Sequence, residues 1–227
     1  PPQMVLRVCF RSMPVPRDSQ ALRRDLIVTA RSMNGLGINQ GTSGNVSARA
    51  GKGFLITPSA LPYDKTTPDD IVAVALDGTA KGRRRPSSEW RIHRDIYAAR
   101  PEAGAIVHTH ATFATTLACL GKPIPRFHYM VAMAGGDDIR CAPYATFGTQ
   151  ELSNHALAAL EGRKACLLAN HGMIAVGADL ESALALAVEV ESLARQYWQA
   201  LQAGKPKLLT RKQMAVVLEK FADYQPD

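Results

Sequence analysis

Ala105-Ile106-Val107-His108-Thr109-His110 is a short apolar run that closes in His-Thr-His, with Pro101 and Gly104 just upstream. Its apolar and β-branched residues predict a buried strand. Successive side chains on a strand point to opposite faces, so His108 and His110 share one. Two imidazoles on one side of a strand end are half of a metal site, since zinc takes ring nitrogens at about 2.0–2.1 Å. A pair alone is equally consistent with histidines that only hydrogen-bond. The remaining ligands must come from elsewhere in the chain.

Two residues answer that need. His171 follows the apolar strand Ala165–Ala169 and stands beside Gly172, placed on its strand as His108 and His110 are on theirs. Glu89 lies in Pro86-Ser87-Ser88-Glu89-Trp90, which opens a helix. Three strand-end histidines can meet at one edge of a sheet, and Glu89 offers a fourth, oxygen ligand. Three histidines plus one replaceable ligand are the donor set of a catalytic zinc. A carboxylate that leaves the metal when substrate binds is free to act as a general base. His93, His128 and His155 fall in predicted helices and read as surface or interhelical side chains rather than ligands.

Three small polar segments can meet an anion. Gly41-Thr42-Ser43-Gly44-Asn45-Val46-Ser47 combines backbone freedom with amide and hydroxyl donors, although a plain loop entering a strand reads the same way. Thr57-Pro58-Ser59-Ala60 is a second such turn. Ser87 and Ser88 stand at a helix start, where unpaired N–H groups and the helix dipole attract negative charge. Their plainer role is to cap that helix.

Around these segments the periodicities predict strands at 46–49, 54–57, 71–76, 139–144 and 173–176, the first two forming a hairpin across Gly51-Lys52-Gly53. Helices are expected after Asp18 or Ser19, over 111–120, as part of 128–134, after Thr149, from Asp179 to about Ala203, and after a Thr210/Gln213 capping box. The result is one α/β domain over residues 18–227, with 1–17, which hold four prolines, as an extension of no assigned function.

Composition fits that picture. The 227 residues are 46% hydrophobic and 21% charged, ordinary for a globular protein with a sizeable core. No apolar run nears the ~18 residues of a membrane span, and no signal-peptide pattern is visible, so a cytoplasmic location is expected. Cys9, Cys119, Cys141 and Cys166 are scattered and read as buried free thiols. The net charge of +7 admits an anionic substrate as readily as nucleic acid. Arg83-Arg84-Arg85 reads as a solvated loop, and no nucleic-acid module accompanies it, so no nucleic-acid or membrane partner is expected.

The chain also resembles the class II aldolase/adducin family, and within it the L-fuculose-phosphate aldolases. The resemblance rests on Leu36–Ser47, Leu55-Ile56-Thr57-Pro58, Pro86–Arg91, Val107-His108-Thr109-His110, Ile124-Pro125 with His128-Tyr129-Met130, Cys141–Thr149, His171-Gly172 and Ala215–Phe221. It covers nearly everything after residue 18. It implies a single domain whose central, mostly antiparallel sheet is flanked by helices. It implies one zinc per subunit on His108, His110 and His171, with Glu89 as resting ligand and acid/base. The phosphate of a sugar-phosphate substrate would lie on Gly44, Asn45, Ser59, Ala60, Ser87 and Ser88. Tyr129, Phe147 and Tyr224 match positions that shape catalysis or aldehyde stereochemistry, Tyr129 and Tyr224 reaching the site of an adjacent chain in a homotetramer. The implied reaction is reversible cleavage of a ketose 1-phosphate, such as L-fuculose 1-phosphate, to dihydroxyacetone phosphate and a short aldehyde such as lactaldehyde.

Two departures stand out. Ala60 replaces a glycine and Asn170 replaces a histidine of the family pattern. Rival readings are an aldolase or dehydratase of 5-deoxy- or methylthio-pentulose phosphates, a pentulose-phosphate 4-epimerase (which carries Asp where this chain has Glu89), and an adducin-like scaffold, which lacks the three histidines.

Overall fold

The structure is a computed structural model and describes residues 15–223. Most of the 1–17 extension, Cys9 included, and Tyr224 lie outside the described residues. At the centre is a nine-stranded sheet in the order β4-β3-β2-β1-β5-β9-β8-β7-β6. Its strands are β1 (Asn45–Ala50), β2 (Gly53–Ile56), β3 (Val72–Ala75), β4 (Ala80–Lys81), β5 (Ala105–Thr109), β6 (Ile124–Pro125), β7 (Asp138–Ala142), β8 (Ala165–Leu168) and β9 (Gly172–Gly177). Every pairing is antiparallel except β7 with β8.

Helices cover both faces. α1 (Gln20–Gly35), α3 (Thr112–Cys119), α5 (Leu180–Ala203) and α6 (Arg211–Asp223) pack on one side. α2 (Trp90–Ala99) and α4 (Gln150–Leu160) pack on the other. The strand alternation divides the core accordingly. Ala105, Val107, Met173 and Ala175 face the first layer, and Ile106, Ile174 and Val176 face the second. A strand covered on both faces has no polar side, so Ala105–Val107 is a continuous apolar run.

Most expected elements form. Ser19 caps α1 through Leu22 N–H, Thr149 caps α4 through Leu152 N–H, and Asp179 with Ser182 boxes the start of α5. Residues 129–134 depart from the reading as a helix: they form a 3-10 turn ended by Gly135 at φ 88°. The expected buried thiols divide: Cys166 is buried, Cys141 half-buried, and Cys119 exposed at the end of α3. Arg83 and Arg84 are not simply solvated. Both pair with the buried carboxylate of Asp70, at 2.9 and 2.8 Å, which ties down the loop leading to Ser87. No described helix is long and apolar enough to cross a membrane.

Candidate metal centre and its cavity

His108 sits near the end of β5 and His110 one residue beyond the strand. Their shared face brings the two Nε2 atoms within 3.2 Å. His171 lies in the turn between the antiparallel neighbours β8 and β9, and β9 pairs with β5, so its ring reaches the same end of the sheet. The three rings meet edge to face, with centroids 4.9–5.0 Å apart. Glu89 arrives from the start of α2. Its Oε2 is 3.0 Å from His108 Nε2, and its Oε1 is 3.1 Å from His171 Nε2. One ligand atom from each of the four residues falls within 4.8 Å of all the others.

That arrangement fits a cation. His108 Nδ1 donates to the Met173 carbonyl at 2.9 Å, which leaves the Nε2 lone pair facing the cluster. Glu89 Oε1 is buried and accepts no hydrogen bond from a protein donor. Lone pairs converging on one point in a buried place repel unless positive charge sits among them. The side chains alone already strain toward charge separation. Burial opposes ionisation of Glu89, but His108 and His171 outweigh it and hold its carboxyl far below the usual range. His108 is penalised by burial, yet the Glu89 carboxylate raises it overall. Burial, aided by the charge of His108 and His171, pushes His110 down to about 4.

Two glycines are needed here for space. A Cβ on Gly172 would sit 2.4 Å from the Thr109 carbonyl oxygen and 3.0 Å from the His110 ring. A Cβ on Gly44 would sit 2.5 Å from the His108 carbonyl oxygen.

The residues expected to hold phosphate come together in part. A bridge between Pro58 and Pro86, with Ser59 N–H donating to Arg85 O and Ser87 N–H to Thr57 O, holds the 57–60 turn against the 85–88 segment. Ser87 is buried and its Oγ accepts from Glu89 N–H at 3.3 Å, so it supports the carboxylate's own backbone. Ser88 is exposed and lines a cavity of about 260 Å³ that also reaches Glu89, His110 and His171. Asn45 is buried, and its amide donates to Glu89 Oε2 at 3.0 Å. Ser59 and Ala60 are exposed, and Ala60 adopts φ 56°.

Phe147, Tyr144 and Asn170, the last at φ 54°, also line the cavity. Tyr129 does not line this cavity. It is half-exposed and packs near Phe221, with ring centroids 6.4 Å apart. His128 and His155 stay clear of the cluster: His128 Nδ1 accepts from Met130 N–H, and His155 contacts the Pro143 carbonyl. His93 departs from the surface or interhelical reading. It is 1% exposed, wedged between α2 and the sheet, and bonded to Asn45 and Ser47. An i, i+4 relation to Glu89 was the sequence signal for it.

A three-histidine, one-carboxylate cluster, with Glu89 and His108 buried and His110 and His171 half-buried, at the end of this sheet defines a metal-dependent enzyme of carbon–carbon chemistry once relatives are compared. The Class II Aldolase and Adducin N-terminal domain model matches residues 24–198. The chain is similar to a 5-methylthioribulose-1-phosphate/5-deoxyribulose-1-phosphate aldolase of Rhodospirillum rubrum, 61% identical over 92% of this chain and 95% of that one. It is 52% identical to an L-fuculose phosphate aldolase of Escherichia coli, over 89% of this chain and 95% of that one. A solved L-fuculose 1-phosphate aldolase superimposes with a TM-score of 0.88 at 40% identity, covering 90% of this chain and 97% of that one. The chain belongs to the class II aldolase and adducin family. Within it, the chain is a class II aldolase.

Proposed function

We propose that this aldolase reversibly cleaves a ketose 1-phosphate to dihydroxyacetone phosphate and a short aldehyde, using one zinc per subunit on His108, His110, His171 and Glu89. The observation that carries the reading is the cavity, whose lining holds Glu89, His110 and His171 together with Ser88, Tyr144 and Phe147, with His108 completing the ligand cluster behind it. A zinc ion there would supply Lewis-acid polarisation of the ketose carbonyl.

The chain's own residues do the rest. Gly44, Ser59, Ala60 and Ser88 supply N–H and hydroxyl donors for the phosphate, Asn45 and Ser87 hold Glu89 beside them, and the N-terminus of α2 favours its charge. In cleavage the C4 hydroxyl passes its proton to the Glu89 carboxylate, the C3–C4 bond breaks to release the aldehyde, and its electron pair stays with C3. Glu89 hands that proton on to C3, completing dihydroxyacetone phosphate and regenerating the carboxylate, and the two transfers run backward in synthesis. Oε1 is the oxygen suited to that transfer, because no protein donor occupies it. No lysine Schiff base is needed. Tyr129, off the cavity of its own chain, serves the aldehyde oxygen of a neighbouring copy in a homotetramer, and Tyr224 joins it there.

The wall of Tyr144, Ala145 and Phe147 favours an aldehyde fragment with an apolar end. That supports a 5-deoxy- or 5-methylthio-pentulose 1-phosphate first, in line with the 61% identical relative. L-Fuculose 1-phosphate, which also ends in a methyl group, is the second reading, supported by the relatives named for it. An assay coupled to dihydroxyacetone phosphate, run on these substrates and on ribulose 1-phosphate, tests both. The deoxy or methylthio pentulose should show the highest kcat/KM and ribulose 1-phosphate the lowest. Equal rates on ribulose 1-phosphate would remove the apolar-end assignment, and no dihydroxyacetone phosphate from any substrate would remove the cleavage reaction.

A further inference from the structure

Glu89, His93 and Tyr97 form an i, i+4, i+8 stripe at the start and along one face of α2. Asn45 and Ser47 form an i, i+2 stripe on the face of β1 that α2 covers. Four helical residues rise about 6 Å and two strand residues about 6.8 Å, so the stripes have nearly the same repeat. They interdigitate. Tyr97 OH lies 2.9 Å from Ser47 Oγ, Ser47 Oγ lies 2.6 Å from His93 Nδ1, and His93 Nε2 lies 2.5 Å from Asn45 Oδ1. Asn45 Nδ2 then reaches Glu89 Oε2 at 3.0 Å. All five side chains are buried.

The far end fixes every proton in this line. Ionised Glu89 only accepts, so Asn45 must turn its NH2 toward Oε2 and its carbonyl toward His93. His93 Nε2 therefore carries a proton. Burial lowers the His93 pKa to about 3, so the ring is neutral and Nδ1 is an acceptor. Ser47 donates to Nδ1, and Tyr97 donates to Ser47. All four donors point toward Glu89, and aligned hydrogen bonds in a buried site polarise one another.

We propose that His93 is a positioning residue of the aldolase: backed by Ser47 and Tyr97, it locks the Asn45 amide so that its NH2 anchors Oε2 of Glu89 and leaves Oε1 to move the proton. Without the Nε2–H donor the Asn45 amide can invert, and its carbonyl oxygen would then face the carboxylate. Ser47 and Tyr97 hold the ring from behind and touch neither substrate nor metal ligands.

The test rests on dihydroxyacetone phosphate as the shared product. Solvent deuterium exchange into dihydroxyacetone phosphate, followed by proton NMR at saturation, isolates the proton step from any choice of aldehyde. His93→Phe should slow exchange by about 10- to 100-fold, the worth of the hydrogen bond from Asn45 to the charged Glu89 that the ring secures. His93→Gln, which can place an N–H donor where Nε2 stands, should recover most of that rate. A merely structural ring would leave the two variants alike. Equal impairment, or full activity of His93→Phe, would overturn the proposal. Should His93→Phe not fold, ring ¹⁵N shifts of the wild-type protein decide: a proton on Nε2 is expected, and a proton on Nδ1 overturns the proposal. Absence of exchange by the wild type would instead overturn the assigned product, while the ring shifts, which need no substrate, still decide on His93.

Discussion

Oε1 of Glu89 lies 3.1 Å from Nε2 of His171 and accepts no hydrogen bond from a protein donor, although both side chains are largely buried. A carboxylate oxygen held out of water finds its partner in the protein or in something the protein binds. The other oxygen has a protein partner in Asn45. This asymmetry separates an anchored oxygen from a working one.

Ser88 lines the cavity with an exposed hydroxyl, whereas Ser87 is buried and supports the Glu89 backbone. A hydrogen bond to phosphate is worth about 1.5–3 kcal/mol. Ser88→Ala should therefore raise KM for the sugar phosphate by about tenfold or more, with a small change in kcat and no loss on an unphosphorylated ketose. Ser87→Ala should lower kcat as well. Steady-state kinetics on paired phosphorylated and unphosphorylated substrates separates the two; equal losses on both by Ser88→Ala would place the phosphate elsewhere.

Ala60 adopts φ 56°, a left-handed conformation that its Cβ disfavours. Ala60→Gly should stabilise the fold by about 1 kcal/mol. It also frees the backbone N–H beside Ser59 to turn toward an anion. Urea unfolding should show a higher midpoint at unchanged m-value; a lower midpoint would mean that contacts of the Ala60 methyl outweigh the strain.

The folded-state pKa of His93 is lowered to about 3 by burial, against 6.5 when exposed. Between those values the unfolded chain binds a proton that the folded chain does not. Stability from this group is thus complete above about pH 6.5 and falls as pH drops toward 3. Asp70 acts in the same direction. Burial alone would raise its carboxyl, but hydrogen bonds from Arg84, Thr67 and Arg83 hold it below the usual carboxylate range, so its contribution is lost on further acidification. Between pH 6.5 and 4, His93→Gln should flatten the slope of unfolding free energy against pH by up to about one proton. Identical slopes in the two proteins would mean that His93 protonates in the folded state as freely as in water.

The metal cluster was more legible in the sequence than the network behind it, for a physical reason. His108 and His110 follow from strand alternation, and His171 and Glu89 from their places at element ends, so each could be proposed from local pattern. His93 could not be placed in the same way: its partners Asn45 and Ser47 are more than 45 residues away, and only the packing of α2 on β1 sets the two stripes in register. The two-residue strands β4 and β6 are too short to carry a periodicity, and the parallel pairing of β7 with β8 is a matter of topology. Tyr129 was named from family resemblance alone, and it does not line the cavity of its own chain.

The central claim is that the four-ligand cluster is the working metal centre. Its most direct measurement is titration of chelator-treated protein with zinc while dihydroxyacetone phosphate release is followed. Activity should rise linearly and level off at about one zinc per chain. His108→Ala should neither retain zinc by elemental analysis nor respond to it. Full turnover by protein proven free of metal, or a His108→Ala variant that keeps its zinc and its activity, would contradict the account.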